Sequence, residues 1–133
     1  MRLQTWLLSL QWAEFNIVKL VFIMFVYLSY PLLTGEETIS RYTRFAIKCG
    51  VTPVAPHFFC SIDKCNSDEV LNSIEASINL MSFCDEVWIL GDEVTKHMLK
   101  ERDYFESNNK SVRSFTEDRI NKYLIYGGDI NGP

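Results

Sequence analysis

Residues 84–101 read CDEVWILGDEVTKHMLKE and join a strand pattern directly to a helix pattern. Val87, Trp88, Ile89 and Leu90 are consecutive apolar residues rich in β-branched and aromatic types, the kind of run a strand buries on both faces. Gly91, Asp92 and Glu93 break the run at once. Val94, Met98 and Phe105 then recur at helical spacing, which predicts a helix over about 94–106. A strand that passes into a helix is the repeating unit of a parallel sheet, so similar pairs should flank this one.

The flanks supply them. Residues 20–28, LVFIMFVYL, read as a central strand. Thr34-Gly35-Glu36-Glu37 follows, with Thr34 as N-cap and Glu37 three residues on, a capping box. Ile39, Tyr42, Ala46 and Cys49 mark the buried face of that helix, and Gly50 supplies its stop. Residues 51–55 form a short second strand ended by Pro56. The next helix opens at Asn66 or Ser67 and carries Val70, Ile74, Ser77, Ile78 and Met81 on one stripe, with Ser77 its polar member and Phe83 assigned to the core. Residues 110–115, KSVRSF, read as the last strand. Strands joined by helices lie parallel with right-handed crossovers. The expected class is therefore α/β: a three-layer Rossmann-like or flavodoxin-like sandwich with a four- to five-stranded, mainly parallel sheet. The expected organisation is an apolar N-terminal extension over 1–23, one domain over 24–116 and a C-terminal tail over 117–133, whose YGGDINGP end has turn chemistry.

Composition bounds the function. A net charge of −4 argues against a surface for duplex nucleic acid, which needs a field of Lys and Arg. Cys49 and Cys84 sit in apolar patterns as free thiols do, and His57, Cys60 and Cys65 do not match a paired zinc spacing. A chain with no metal, no cofactor and a reducing cytoplasmic setting is the simplest reading. Neither GxGxxG nor GxxxxGK[ST] is present, and Ser29, Ser61 and Ser67 lack a GxSxG context. The run IVKLVFIMFVYLSYPLL over 17–33 is interrupted by Lys19 and weakened by Ser29, Tyr30 and Pro31, leaving less than the ~20 apolar residues a bilayer asks for. A buried strand preceded by an extension fits it better than an anchor. Leu3, Trp6, Leu7, Leu10 and Trp12 give that extension too much apolar surface to leave in water, so it should pack on its own domain, a partner subunit or another protein.

Ligands of open α/β sheets bind beyond the carboxyl ends of the strands, which directs attention to 29–35, 56–59 and 91–95. Glu101 follows Met98 by three residues and precedes Phe105 by four, so it borders the stripe that packs on the sheet. A carboxylate there is partly desolvated, which raises its pKa and suits a nucleophile or acid/base. The competing reading pairs Glu101 with Lys100 or Arg102 on a solvated face. His97, one turn earlier, either shares a proton with Glu101 or is a half-exposed helix residue. His57 stands where Pro56 stiffens a strand end, for ligand contact or loop packing. Asp92 and Glu93 serve a ribose hydroxyl or the positive end of the helix that follows.

The segments VYLSYPLLTG (26–35), RYTRFAIKCGVTPVAPHFF (41–59), CDEVWILG (84–91), HMLKE (97–101) and KSVRSF (110–115) resemble the nucleoside 2-deoxyribosyltransferase-like superfamily, in particular a small bacterial and phage branch. The resemblance implies cleavage of N-glycosidic bonds of nucleosides or nucleotides, without a cofactor, by a homo-oligomer. It also implies that a Glu on the third helix attacks the anomeric carbon, and Glu101 matches that Glu. His97 stands where the family has Gly, Ser77 near an acid that positions the base, and Thr95 at a second acid six residues before the Glu. Ser29 and Tyr30 stand where small residues are expected, with Tyr30 reaching into the sugar pocket. The implied ligand contacts are thus Ser29, Tyr30, Pro31, His57, Ser77, Asp92, Thr95 and His97. Two classes of function remain: an N-glycoside hydrolase or glycosyltransferase, and a nucleotide-binding or protein-interaction module that kept the fold without the reaction, such as a phage-type inhibitor or sensor.

Overall fold

The computed structural model describes residues 23–56 and 67–128. Its elements are β1 (Phe25–Ser29), α1 (Glu36–Lys48), β2 (Thr52–Val54), α2 (Ser67–Phe83), β3 (Glu86–Leu90), α3 (Lys96–Ser107), β4 (Ser111–Phe115) and α4 (Glu117–Tyr126). His57, Cys60, Cys65 and most of the N-terminal extension lie outside the described residues.

The four strands lie in the order β2-β1-β3-β4, and every neighbouring pair is parallel. Side chains alternate across a strand, so each strand feeds two cores. Val26, Leu28, Trp88, Leu90 and Phe115 face α1 and α4, where Ile39, Tyr42, Phe45, Ala46 and Ile120 complete a buried cluster. Tyr27, Val87 and Ile89 face the other way and meet Met81, Met98 and Phe105 of α2 and α3. All five residues of β3 are buried, as the VWIL run demands of a central strand covered on both faces. The result is the expected three-layer α/β sandwich.

Several local expectations are corrected. Thr34 does not cap α1: the N-cap is Gly35, with no side-chain cap bond. The Thr34 hydroxyl donates instead to the Pro31 carbonyl at 2.6 Å, closing the turn that leaves β1. Helix α3 begins at Lys96 rather than 94, because the Thr95 hydroxyl accepts from the Met98 N–H at 3.3 Å and defines the first turn there. Val94 is therefore outside the helix and half exposed. On α2 the expected stripe is only partly buried: Met81 is 6% exposed, but Ile74 and Ile78 are 53% and 44% exposed. Among the described side chains, Leu80 and Met81 in its last turns meet the sheet. Phe83, at its very end, is 63% exposed and rests its ring on Phe25 instead of entering a core.

Residues 117–126, read from sequence as part of a tail, form α4. Thr116 caps this helix by accepting from the Arg119 N–H at 3.2 Å, Ile120 is fully buried, and Tyr123 and Leu124 pack against the same cluster. The Ile120, Tyr123, Leu124 spacing carries the helical period, but the glycines and Asn-Gly-Pro that follow dominate the composition of the segment. No helix among the described residues is long and apolar enough to cross a membrane.

Candidate functional site

β1 leads to β2 on one side while β3 leads to β4 on the other, so the loops after β1 and β3 diverge at the carboxyl edge of the sheet. Two groups of polar side chains lie there, one toward each helical layer.

The first forms around Glu101. Alternation along β1 turns Tyr27 and Ser29 toward α2 and α3, and α3 carries Glu101 one turn after its cap residue's partner Met98. The Ser29 hydroxyl donates to Glu101 Oε1 at 2.9 Å. His97 Nε2 lies 3.2 Å from the same oxygen, at the i,i+4 spacing of one helical turn. Ser29 is fully buried and Glu101 only 4% exposed, whereas the His97 side chain is 41% exposed. The Tyr27 hydroxyl and the Glu101 carboxyl lie close enough to bias each other's ionisation, yet neither that hydroxyl nor Oε2 of Glu101 completes a hydrogen bond of normal geometry among the described residues. Ser77 of α2 also reaches the Tyr27 hydroxyl.

Burial pushes the Glu101 carboxyl above the ordinary Glu range; Tyr27, the charge of His97 and the Ser29 hydroxyl oppose that shift without cancelling it. Tyr27 is driven well above the usual tyrosine range, by burial first and then by the adjacent carboxylate. Glu101 is buried and Arg102 turns to Asp103 and Glu106, at 3.7 and 3.8 Å, so the alternative of Glu101 paired with Lys100 or Arg102 on a solvated face is overturned. Chemically, the cluster holds a buried carboxylate with Oε1 hydrogen-bonded by Ser29 and 3.2 Å from His97, and with no hydrogen bond of normal geometry to Oε2 among the described residues.

The second group lines an open cleft of about 400 Å³ between the two loops and the α1/α4 layer. Pro31, Thr34 and Gly35 come from the β1 loop, Gly91, Asp92 and Glu93 from the β3 loop, and Tyr42 and Glu117 from the helices. The Tyr42 hydroxyl makes a short hydrogen bond to Glu117 Oε1, and Arg41 Nη1 lies 2.7 Å from Glu117 Oε2. Burial pushes Glu117 up, but the bonds from Arg41 and Tyr42 and the Arg41 charge outweigh it and hold the carboxyl below its usual range. Tyr42 is raised by burial and then by Glu117. Gly91 is required here: its φ is +94°, and a Cβ would stand 2.7 Å from the Tyr42 hydroxyl oxygen.

The residues singled out from sequence thus separate. Glu101, Ser29, Ser77 and His97 gather around Tyr27, while Pro31 and Asp92 line the cleft. Asp92 Oδ1 also accepts the Glu117 N–H at 3.1 Å, so its charge meets the start of α4, not the start of α3 as expected. Thr95 is occupied as the α3 cap. Tyr30 points away from Glu101 into the other core, 6% exposed, with its ring 6.2 Å from that of Tyr42. It turns away because β1 alternation sends it to the face opposite Ser29. Sequence reasoning missed Tyr27, Tyr42, Arg41 and Glu117. Tyr27 was legible as the residue two before Ser29 on one face of a strand; Glu117 lay in the segment read as a tail. Among the described residues no group of three or more His, Cys, Asp or Glu side chains is placed to hold a metal ion.

Comparison with known proteins adds a family and a fold. A family model described as Domain of unknown function (DUF7768) matches residues 19–115. No curated protein matches the chain. A solved structure of a 2-deoxyribosyltransferase from Bacillus psychrosaccharolyticus superposes with a TM-score of 0.59, at 15% identity, over 69% of this chain and 72% of that one. At that identity the likeness is one of fold.

Proposed function

The chain belongs to the family described as Domain of unknown function (DUF7768), and from that premise we propose that it acts on a nucleoside-type ligand, cleaving or transferring its N-glycosidic bond with Glu101 as nucleophile. One observation supports this reading above the others. On a fold shared with a 2-deoxyribosyltransferase, a buried carboxylate at the carboxyl edge of the sheet has Oε1 held by Ser29 and Oε2 free.

The chemistry follows from that arrangement. Oε2 bonds to the anomeric carbon as the C–N bond breaks, and the bonding pair leaves with the base nitrogen, which takes a proton from solvent. Water or a second base then attacks the anomeric carbon and returns the electron pair to the carboxylate. A dry site strengthens the attraction between the carboxylate and the developing positive charge on the sugar. Because burial raises the Glu101 midpoint, turnover should fall on the acid side as the carboxyl takes up a proton.

The test is release of free base from a panel of nucleosides and nucleotides, followed by chromatography. Wild-type protein should turn over at least one member, and Glu101→Gln should lose at least about a thousandfold in rate. A second reading, a ligand-binding module without turnover, is favoured by the 4% exposure of Glu101 beneath His97. Binding of a nucleoside with no base release across the panel would favour that module and exclude the enzyme.

A further inference from the structure

We propose that His97 is the positioning residue of this site: together with Ser29 it clamps Oε1 of Glu101, leaves Oε2 as the attacking oxygen and, when protonated, supplies the counter-charge of the carboxylate. The inference rests on the reading of Glu101 as nucleophile.

The geometry comes first. A carboxylate turns about a broad, roughly two-fold terminal torsion, so a single hydrogen bond leaves its plane free to swing. Two partners on one oxygen remove that freedom. Ser29 approaches Oε1 from β1 at 2.9 Å and His97 approaches it along the helix at 3.2 Å, which fixes the plane of the carboxylate and with it the position of Oε2. Holding the reacting atom in place before substrate arrives is worth rate, since misplacement costs orientation.

Charge comes second. A carboxylate 4% exposed has lost its hydration, and a buried charge needs a partner. The groups that face Glu101 and its surroundings are Tyr27 and Ser29 of β1, Ser77 of α2 and Tyr30 through Tyr27, with His97 on its own helix. Among the described residues, His97 is the member of that set able to carry positive charge. Its 41% exposure also places it between the carboxylate and solvent. During the displacement Oε2 forms the bond to the anomeric carbon, the base departs with the electron pair, and Oε1 becomes the ester carbonyl oxygen, still facing Nε2.

Titration of Glu101 itself decides the matter. Glutamate labelled with ¹³C at the side-chain carboxyl reports each ionisation by NMR, and the Glu101 signal is identified by its loss in Glu101→Gln. His97→Ala removes both contact and charge; His97→Gln keeps a donor without charge and preserves the helix if the alanine variant folds poorly. In both variants the Glu101 midpoint should rise by roughly one pH unit. The acid limb of turnover should rise with it, and kcat should fall while KM holds. An unchanged Glu101 midpoint in both variants would overturn the proposal, as would a rise in kcat in His97→Ala, which would make the imidazole a cover and not a clamp. If wild-type protein turns over no member of the nucleoside panel, the nucleophile reading falls, and the NMR titration still decides the partnership of His97 with Glu101.

Discussion

Glu101 is stabilised and penalised by the same few atoms. Ser29 and His97 hold Oε1, while burial opposes the charge they hold. Its folded-state midpoint lies above the unfolded one, so its contribution to stability is fully present below the ordinary Glu range and is lost as pH rises through the raised midpoint. Glu101→Gln does not ionise and escapes that loss. The melting temperature of the variant relative to wild type should therefore increase between acid and neutral pH. A difference that stays flat or shrinks over that range contradicts the raised midpoint. The helical neighbours of Glu101 were visible in the sequence, since Met98, Glu101 and Phe105 follow one period. Ser29 was named there too, but its bond to Glu101 spans 72 residues and no local pattern encodes it.

The elements differ in how openly they announce themselves. β3 is legible because a strand covered on both faces leaves no room for polar alternation. α4 was not, because its buried residues are few and turn-forming residues follow it. Yet α4 closes one layer: it buries Ile120, ties Asn121 to Arg41 at 2.7 Å and brings Glu117 to Tyr42. Thr116→Ala removes its cap and should cost about 1 kcal/mol, read as a lowered denaturation midpoint with an unchanged slope. No loss of stability would mean that α4 is a passive appendage. The Thr34 cap expected for α1 failed because the turn leaving β1 holds the Thr34 hydroxyl on the Pro31 carbonyl, and the helix starts one residue later with Gly35 at the cap position.

At the scale of the whole molecule, stability resides in two cores sharing one sheet. Trp88 is fully buried among Phe45, Phe115 and the α1/α4 layer, and its indole N–H donates to Glu86 Oε1 at 2.7 Å. Trp88→Ala leaves a large void and removes the indole donor from Glu86, and should cost about 3–5 kcal/mol by equilibrium denaturation. A loss below about 1 kcal/mol would show that the layer collapses to fill the space. The sequence by itself determined the α/β class, the parallel sheet and Glu101 as the carboxylate to watch, because hydrophobic period and strand–helix alternation are local properties of the chain. Only the tertiary structure decided which side chains meet that carboxylate. The parallel crossovers bring β1, α2 and α3 together across long separations in sequence, and the alternation of β1 then turns Ser29 toward Glu101 while it turns Tyr30 away.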